Sequence, residues 1–579
     1  MKTIARKLSL LWVTLYFSAL TVVMTWPLAT RMRESMVGEV GDNIYFVWMI
    51  GWLKKALFEL RVNPFNVWFL NYPEGWSLAY TEITPSNLLI ALPFSLIGGP
   101  MFGYNMALLL SFVLSGVGMY LWVRKMTGRA DASLVAGTVF AFLPYHIAHF
   151  LIGHLNLSAI QWFPFYFMGF FEILEQRKWS WRPALVGGIA LGLIALTSQY
   201  YLYITVLMSG FLVVLYLLWP GRERLKDLVF WKNLIGMGLI SLPLVAAGVA
   251  PFVTLARQGG LPDRGISVAR LYSASPTDFL LPSTDHFLFG SWVGRNFNRD
   301  LWIEATLYIG LFAGVLAVIA FLKRKELPQR DTLRLMFWGA LLSIVLAMGT
   351  DLHWNGASVE IALPEFLASR LGRAEAPIPL PGYFLFLYFP FYAKMRALMR
   401  FGVVALIFTS AAAGIGSAWV LDKISKKWQA LAAVGLLVLV VFDFYPGPYR
   451  QFAEVEPRAV DLWLAEQPDQ GVVIQMPFAL AEDQEQTYYT LFHGKPYVGG
   501  FFNAFPPPQY SRVRPVLEHF PDEQSVALMR ELGVDYVLVQ ADRYDDLDVV
   551  LQESERLGLV FKVELDGQLV YLLDGVEAE

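Results

Sequence analysis

Residues 38–60 read Gly38-Glu39-Val40-Gly41-Asp42-Asn43 and then IYFVWMIGWLKKALFEL, residues 44–60. An acid-bearing glycine loop thus runs into a long aromatic-rich apolar segment that ends in Lys54, Lys55 and Glu59. With charges at its end, the segment suits a helix lying at a membrane surface, its lysines reaching headgroups or an anionic lipid substrate. Asp42 sits immediately before that helix. An ionisable group at that depth is a candidate functional residue, and Asp is equally suited to cap a helix N-terminus.

Upstream, the basic segment Met1 to Lys7 precedes the apolar run 8–28, which is too long for a signal-peptide core and is followed by no small-residue cleavage site. It reads as an uncleaved first span. Further apolar runs fall near 101–123, 131–150, 157–175, 183–198, 202–219, 233–255, 303–322, 335–348, 401–421 and 429–446, giving about eleven transmembrane helices. Two shorter stretches, 86–98 and 382–393, contain Pro93 and Pro390 and are expected to be re-entrant or interfacial. The chain of 579 residues is 56% hydrophobic and 16% charged, which excludes both an ordinary soluble protein and a disordered one. It has no cysteine, so disulfides, thiol nucleophiles and cysteine metal sites are excluded.

Charge orients the spans. With the N-terminus inside, the 53 residues of inner segments carry 21 Lys and Arg, whereas 173 residues of outer loops carry 15. That bias, roughly four to one per residue, follows the positive-inside rule and places the long loops 29–85, 256–302 and 349–400 outside. The expected locale is a plasma or bacterial inner membrane with a cytoplasmic N-terminus. The net charge of −3 divides unevenly, because from Arg450 onward there are 24 acidic and 9 basic residues. That acidic tail is expected to be extracytoplasmic. The domain expectation is therefore a membrane domain over 1–446 and a soluble α/β domain over 447–579. In the latter, 471–477 and 535–540 read as buried strands, 558–564 and 568–573 as a hairpin around Asp566-Gly567, and 525–532 as a helix stopped by Gly533.

The first span, the Gly41-Asp42 just outside it and the helix that follows resemble the C-type membrane glycosyltransferases (the GT-C fold). The style is closest to the bacterial proteins related to dolichyl-phosphate-mannose-type transferases and to YfhO-like membrane proteins. Asn63-Pro64-Phe65 and Tyr72-Pro73-Glu74-Gly75 fit the same outer-loop style. The resemblance covers the first 200 residues best. It implies a mainly α polytopic fold, a sugar donor carried on a polyprenyl phosphate, and an acid in the first outer loop that acts as general base or as a metal-linked acceptor-positioning group. Asp42 is the acid at that position. Glu39 is the alternative base, and Glu82, in Tyr80-Thr81-Glu82-Ile83-Thr84-Pro85, lies near the other end of the loop. Transfer to a hydroxyl needs a carboxylate to accept its proton, and a phosphate leaving group needs cations.

Two outer segments could supply contacts to such a donor. Leu143–Asn156 holds His146, His149 and His154. On a helix His146 and His149 would share a face, which suits one ion or hydrogen bonds to a phosphate. The family's second acid is missing there, which puts metal dependence of the acidic type in doubt. No cofactor is required by the sequence, and a divalent cation, Mg or Mn, is left open. In Lys394–Phe401, Arg396 and Arg400 are four residues apart, so on a helix they would face one phosphate together. The tyrosines of Gln199–Tyr203 read as an interfacial aromatic belt. Asp285-His286 and Asp351-x-His353 read as turns.

The leading expectation is a glycosyltransferase that uses a polyprenyl-phosphate sugar and a glycan, lipid or protein acceptor, with the bilayer as its environment and no nucleic-acid partner. The alternatives are a transporter or flippase for a lipid-linked glycan and a non-catalytic envelope assembly protein. No repeated halves and no mid-span charges support the transporter, and no glycine-rich nucleotide loop is present.

Overall fold

The structure, a computed structural model, describes residues 2–257, 261–468, 470–478, 480–500 and 506–573. Among them, seven helices are long and apolar enough to cross a membrane: Pro100–Thr127, Ala130–Leu151, Leu155–Glu175, Gln199–Leu218, Leu228–Arg257, Leu398–Asp422 and Lys426–Phe444. Leu10–Met24, Pro85–Gly98, Trp181–Ala195 and Leu311–Leu322 are shorter apolar helices. Seven of the expected spans are thus long helices, while those at 8–28, 183–198 and 303–322 are covered by shorter apolar ones. The run 303–322 divides, because Trp302–Ala305 is a separate turn and the helix starts only after Gly310, whose φ is +89°. At about 1.5 Å per residue, the 12 residues of Leu311–Leu322 fall well short of a hydrocarbon core of about 30 Å. The stretch 86–98 is helical and leads through a break at Gly99 into the next helix.

Exposed apolar side chains follow helical spacing. Leu228, Ile235, Leu239 and Leu242 line one face of Leu228–Arg257, and Leu431, Val434 and Val438 line one face of Lys426–Phe444. Stripes of this kind would be left unburied in water and are satisfied by acyl chains. The chain is a multi-pass membrane protein.

It divides into two compact units: Met1–Thr30, Thr84–Asn87 and Leu108–Arg450 form the first, and Arg31–Ile83, Leu88–Ala107 and Gln451–Glu579 the second. The first is a helical bundle with short hairpins at 353–358 and 360–377. Its helices approach through small residues, as bilayer packing favours. A methyl group at Gly416 would lie 2.0 Å from Leu316 O, and one at Gly169 would lie 2.6 Å from Pro183 O.

The second unit contains a four-stranded sheet ordered Leu559–Leu565, Gln568–Leu573, Val534–Gln540, Val472–Met476, in which the last two strands are parallel. Ala459–Glu466 covers one face; Pro508–Leu517 and Glu523–Glu531 cover the other. Strands, hairpin and the helix before Gly533 lie where hydrophobic patterning and turn chemistry put them. The domain division differs from the expected one at 446/447. The first outer loop belongs with the tail, since Ser35–Val37 pairs antiparallel with Phe452–Glu454 and Asp42–Lys54 packs on Leu480–His493.

Candidate functional site

The acids of the first outer loop lie in the second unit. Asp42 is the first residue of helix Asp42–Lys54 and does not cap it, contrary to the N-cap reading. Gly41 holds the N-cap position, and Asn43 Oδ1 accepts from Gly41 N at 2.8 Å and from Ile44 N at 2.9 Å. Asp42 is half-buried, as is Glu82, and both act on Tyr45. Burial pushes the Tyr45 phenol well above its usual range, and the charges of Glu82 and Asp42 push it the same way. Two carboxylates forty residues apart in sequence thus act on one buried phenol. Glu39 is exposed and accepts a 2.7 Å hydrogen bond from Gln451 Nε2.

The surface-helix reading of 44–60 is corrected over its first part. Residues 43–52 are buried throughout, so helix Asp42–Lys54 is core, whereas Leu57, Phe58 and Leu60 in the following turn Lys55–Leu60 are exposed. Trp48 donates to Thr490 Oγ1 at 3.3 Å, and Trp52 to Pro64 O at 2.8 Å. The sequence shows aromatic bulk but not which surface covers it. Lys54 ends the helix, and Lys55 Nζ lies beside Gly494, at 3.6 Å from where a Cβ would stand there. Neither lysine extends from a membrane-surface helix.

The cationic residues lie in the first unit. Arg400 is buried and donates from Nε to both carboxylate oxygens of Glu304, at 3.0 and 3.2 Å, and from Nη2 to Oε1 at 2.5 Å. Burial alone would raise the Glu304 pKa; the Arg400 charge, aided by the nearby His149, outweighs it and holds the carboxyl at about 2. The Arg400 guanidinium stacks 4.5 Å from the Tyr200 ring centre. Arg396 is exposed, with its guanidinium 4.9 Å from the Tyr272 ring centre and its backbone N–H on Tyr200 Oη at 3.2 Å. The two arginines do not share a helix face. Residues 395–397 are irregular between the turns Tyr392–Lys394 and Leu398–Phe401, so the four-residue spacing loses its helical meaning. Arg400 stacks on Tyr200, whereas Arg396 meets that residue only through its backbone N–H and sets its guanidinium over Tyr272.

The histidines separate by role. His146 is fully buried, bonded through Nε2 to Ser111 Oγ at 2.9 Å and through Nδ1 to Ala141 O at 2.8 Å, and stacked on Phe112 at 3.8 Å. His149 instead pairs with His154, Nδ1 to Nδ1, at 3.0 Å. The expected His146–His149 pair therefore does not form, because His146 is drawn into contacts with the preceding helices. Among the described residues no group of three His, Asp or Glu side chains could hold a metal ion.

Patterning missed Glu304, a lone acid at the edge of an apolar run, and the tyrosines beside the histidines. Tyr145 and Tyr201 share a hydrogen bond of 2.9 Å, and Tyr201 Oη also donates to Leu157 O. Tyr200 and Tyr201 thus belong to this cluster rather than to an aromatic belt. Asp285 Oδ2 accepts from Ser283 Oγ, and His286 Nδ1 accepts from Leu288 N and Phe289 N, all within one turn. Asp351 ties Arg270 and Ser358 to the hairpin at 353–358, with His353 alongside at 3.3 Å.

A family described as a domain of unknown function, DUF6311, matches residues 48–413. The chain belongs to that family. No curated protein matches it in sequence. Among solved structures, a mutant of the arabinofuranosyltransferase AftD from Mycobacteria superposes with TM-score 0.57 at 15% identity, covering 97% of this chain and 41% of that one. The oligosaccharyltransferase of Archaeoglobus fulgidus in its apo form gives 0.53 at 13% identity, covering 98% and 74%. This DUF6311 chain thus spans under half the length of AftD. It has the GT-C fold, mainly helical and polytopic, as the resemblance implied.

Proposed function

We propose that this protein is a membrane glycosyltransferase that moves a sugar from a polyprenyl-phosphate-linked donor to a hydroxyl acceptor on the extracytoplasmic side. The observation that carries the reading is the exposed Arg396, its guanidinium over Tyr272 and its backbone N–H on Tyr200, next to the Glu304-paired Arg400 that stacks on the same tyrosine; an exposed guanidinium held on aromatic rings is suited to an anionic headgroup. Arg396 meets the phosphate from the exposed side. Arg400, fixed by Glu304, sets the field behind it. Asp42 is the general base and Glu82 its partner around Tyr45. Glu39, held by Gln451, stays outside the chemistry.

In the reaction the acceptor oxygen attacks the anomeric carbon and its proton passes to the Asp42 carboxylate. The bond from that carbon to the phosphate oxygen breaks, and its electron pair stays on the phosphate. The Lys and Arg bias puts the N-terminus in the cytoplasm and the C-terminal unit outside.

The test uses purified full-length protein, a panel of polyprenyl-phosphate sugars and hydroxyl acceptors, and the Asp42→Asn variant. Wild type transfers at least one sugar, and the variant loses about 10²–10⁴-fold in kcat while remaining folded. Undiminished transfer by the variant removes Asp42 as base. No transfer from any donor, with movement of lipid-linked glycan across vesicles, replaces the enzyme with a transporter.

A further inference from the structure

The buried His149 has an unmet hydrogen-bonding atom. Its side chain is 0% exposed, and its Nε2 has no hydrogen-bond partner in the structure. Leaving a buried polar atom unpaired costs about 1–3 kcal/mol, so such atoms call for an explanation. His146, equally buried, has both ring nitrogens satisfied. The difference singles out one histidine of three.

The other nitrogen of His149 shows how its protons are arranged. Nδ1 lies 3.0 Å from His154 Nδ1, and only one of these atoms can carry the proton between them. When half-buried His154 donates, His149 Nδ1 is an acceptor and its Nε2 carries a hydrogen. Tyr145 meets the ring edge-on at 4.4 Å and holds its plane. The charged groups facing it from neighbouring elements are Glu304 and Arg400, which neutralise each other in their ion pair. The unpartnered atom is thus presented by a rigid ring next to a compensated charge pair, a setting in which an added anion is met by a donor.

We propose that His149 donates from Nε2 to an anionic phosphate oxygen of a lipid-linked substrate, and that His154 is the positioning residue that holds it in the Nε2–H tautomer. The inference rests on the lipid-phosphate reading above. It narrows that reading to one ring atom and gives His154 no direct contact with substrate.

Side-chain geometry supplies the test. The amide nitrogen of Gln can stand where Nε2 stands, whereas that of Asn reaches only the Nδ1 position. Full-length protein in nanodiscs is titrated with undecaprenyl phosphate and with undecaprenol, with thermal unfolding followed for each variant. Wild type binds the phosphate more tightly than the alcohol. His149→Asn loses that preference by roughly ten- to hundredfold, while His149→Gln keeps most of it. His154→Ala weakens phosphate binding in the wild-type background and has no effect in the His149→Gln background, where there is no tautomer to fix. An Asn variant with wild-type preference overturns the inference and leaves the lipid-phosphate reading standing. A wild type that does not distinguish phosphate from alcohol overturns both. Should the Asn variant not fold, the His154→Ala comparison decides: equal losses in both backgrounds overturn the positioning role.

Discussion

Arg400 grips Glu304 through two nitrogens, Nε at 3.0 Å and Nη2 at 2.5 Å from Oε1, with both side chains more than nine-tenths buried. The pair closes the turn before helix Gly402–Asp422 onto the segment that precedes Leu311–Leu322. It also sets the charge behind Tyr200.

Breaking this pair leaves a buried charge without its partner. Glu304→Gln is expected to destabilise the protein by about 3–5 kcal/mol, read from unfolding in detergent. Arg400→Lys is expected to lose most of the same stability, because an ammonium can reproduce neither the two-pronged contact nor the stacking on Tyr200.

The same pair has a pH signature. The Glu304 carboxyl is held at about 2 against an ordinary 4.5, since Arg400 outweighs burial. A depressed acid adds stability that is fully present above its unfolded value and is lost as pH falls through the folded one. The stability gap between wild type and Glu304→Gln is therefore expected to be constant from pH 8 to 5 and to close between 4.5 and about 2. A gap that widens on acidification contradicts the ion pair.

His146 and Glu39 were candidates that the structure assigns to other tasks. His146→Ala removes two hydrogen bonds and a stacked ring, so it is expected to lower stability by about 2–4 kcal/mol while folded protein retains sugar transfer. Glu39→Gln is expected to leave transfer within a factor of about two, since its carboxylate serves an exposed contact. Transfer rates and unfolding curves on the same preparations check both.

Trp48 tests the placement of helix Asp42–Lys54. It is 0% exposed among Tyr45, Trp52 and Trp76, at ring distances of 6.3–6.5 Å. Trp48→Ala is expected to cost about 3–5 kcal/mol in stability, as a truncated core aromatic does. A surface helix would instead show unchanged unfolding and weaker vesicle association.

Much of the architecture could be read along the chain. Apolar runs marked the helices because the hydrocarbon core sets their length and composition. Alternation and Asp566-Gly567 marked the closing hairpin, where φ is +52° and +74° at the two turn residues. The site was less legible. Asp42 stood out by its position, but Glu304 lies 96 residues from Arg400 in sequence, and no local pattern links them. Spacing rules also failed where they presumed a helix that is absent, as at Arg396 and Arg400.

The sequence alone therefore determined a polytopic chain with an acidic α/β tail and a set of outer acids, histidines and arginines, since hydrophobicity, period and turn chemistry are local properties. Tertiary structure alone decided which of these groups meet. It buried helix Asp42–Lys54 against the tail, joined Arg400 to Glu304, satisfied His146 and left His149 Nε2 unpaired. Those outcomes depend on which distant surfaces exclude water together, and a linear pattern carries no record of that.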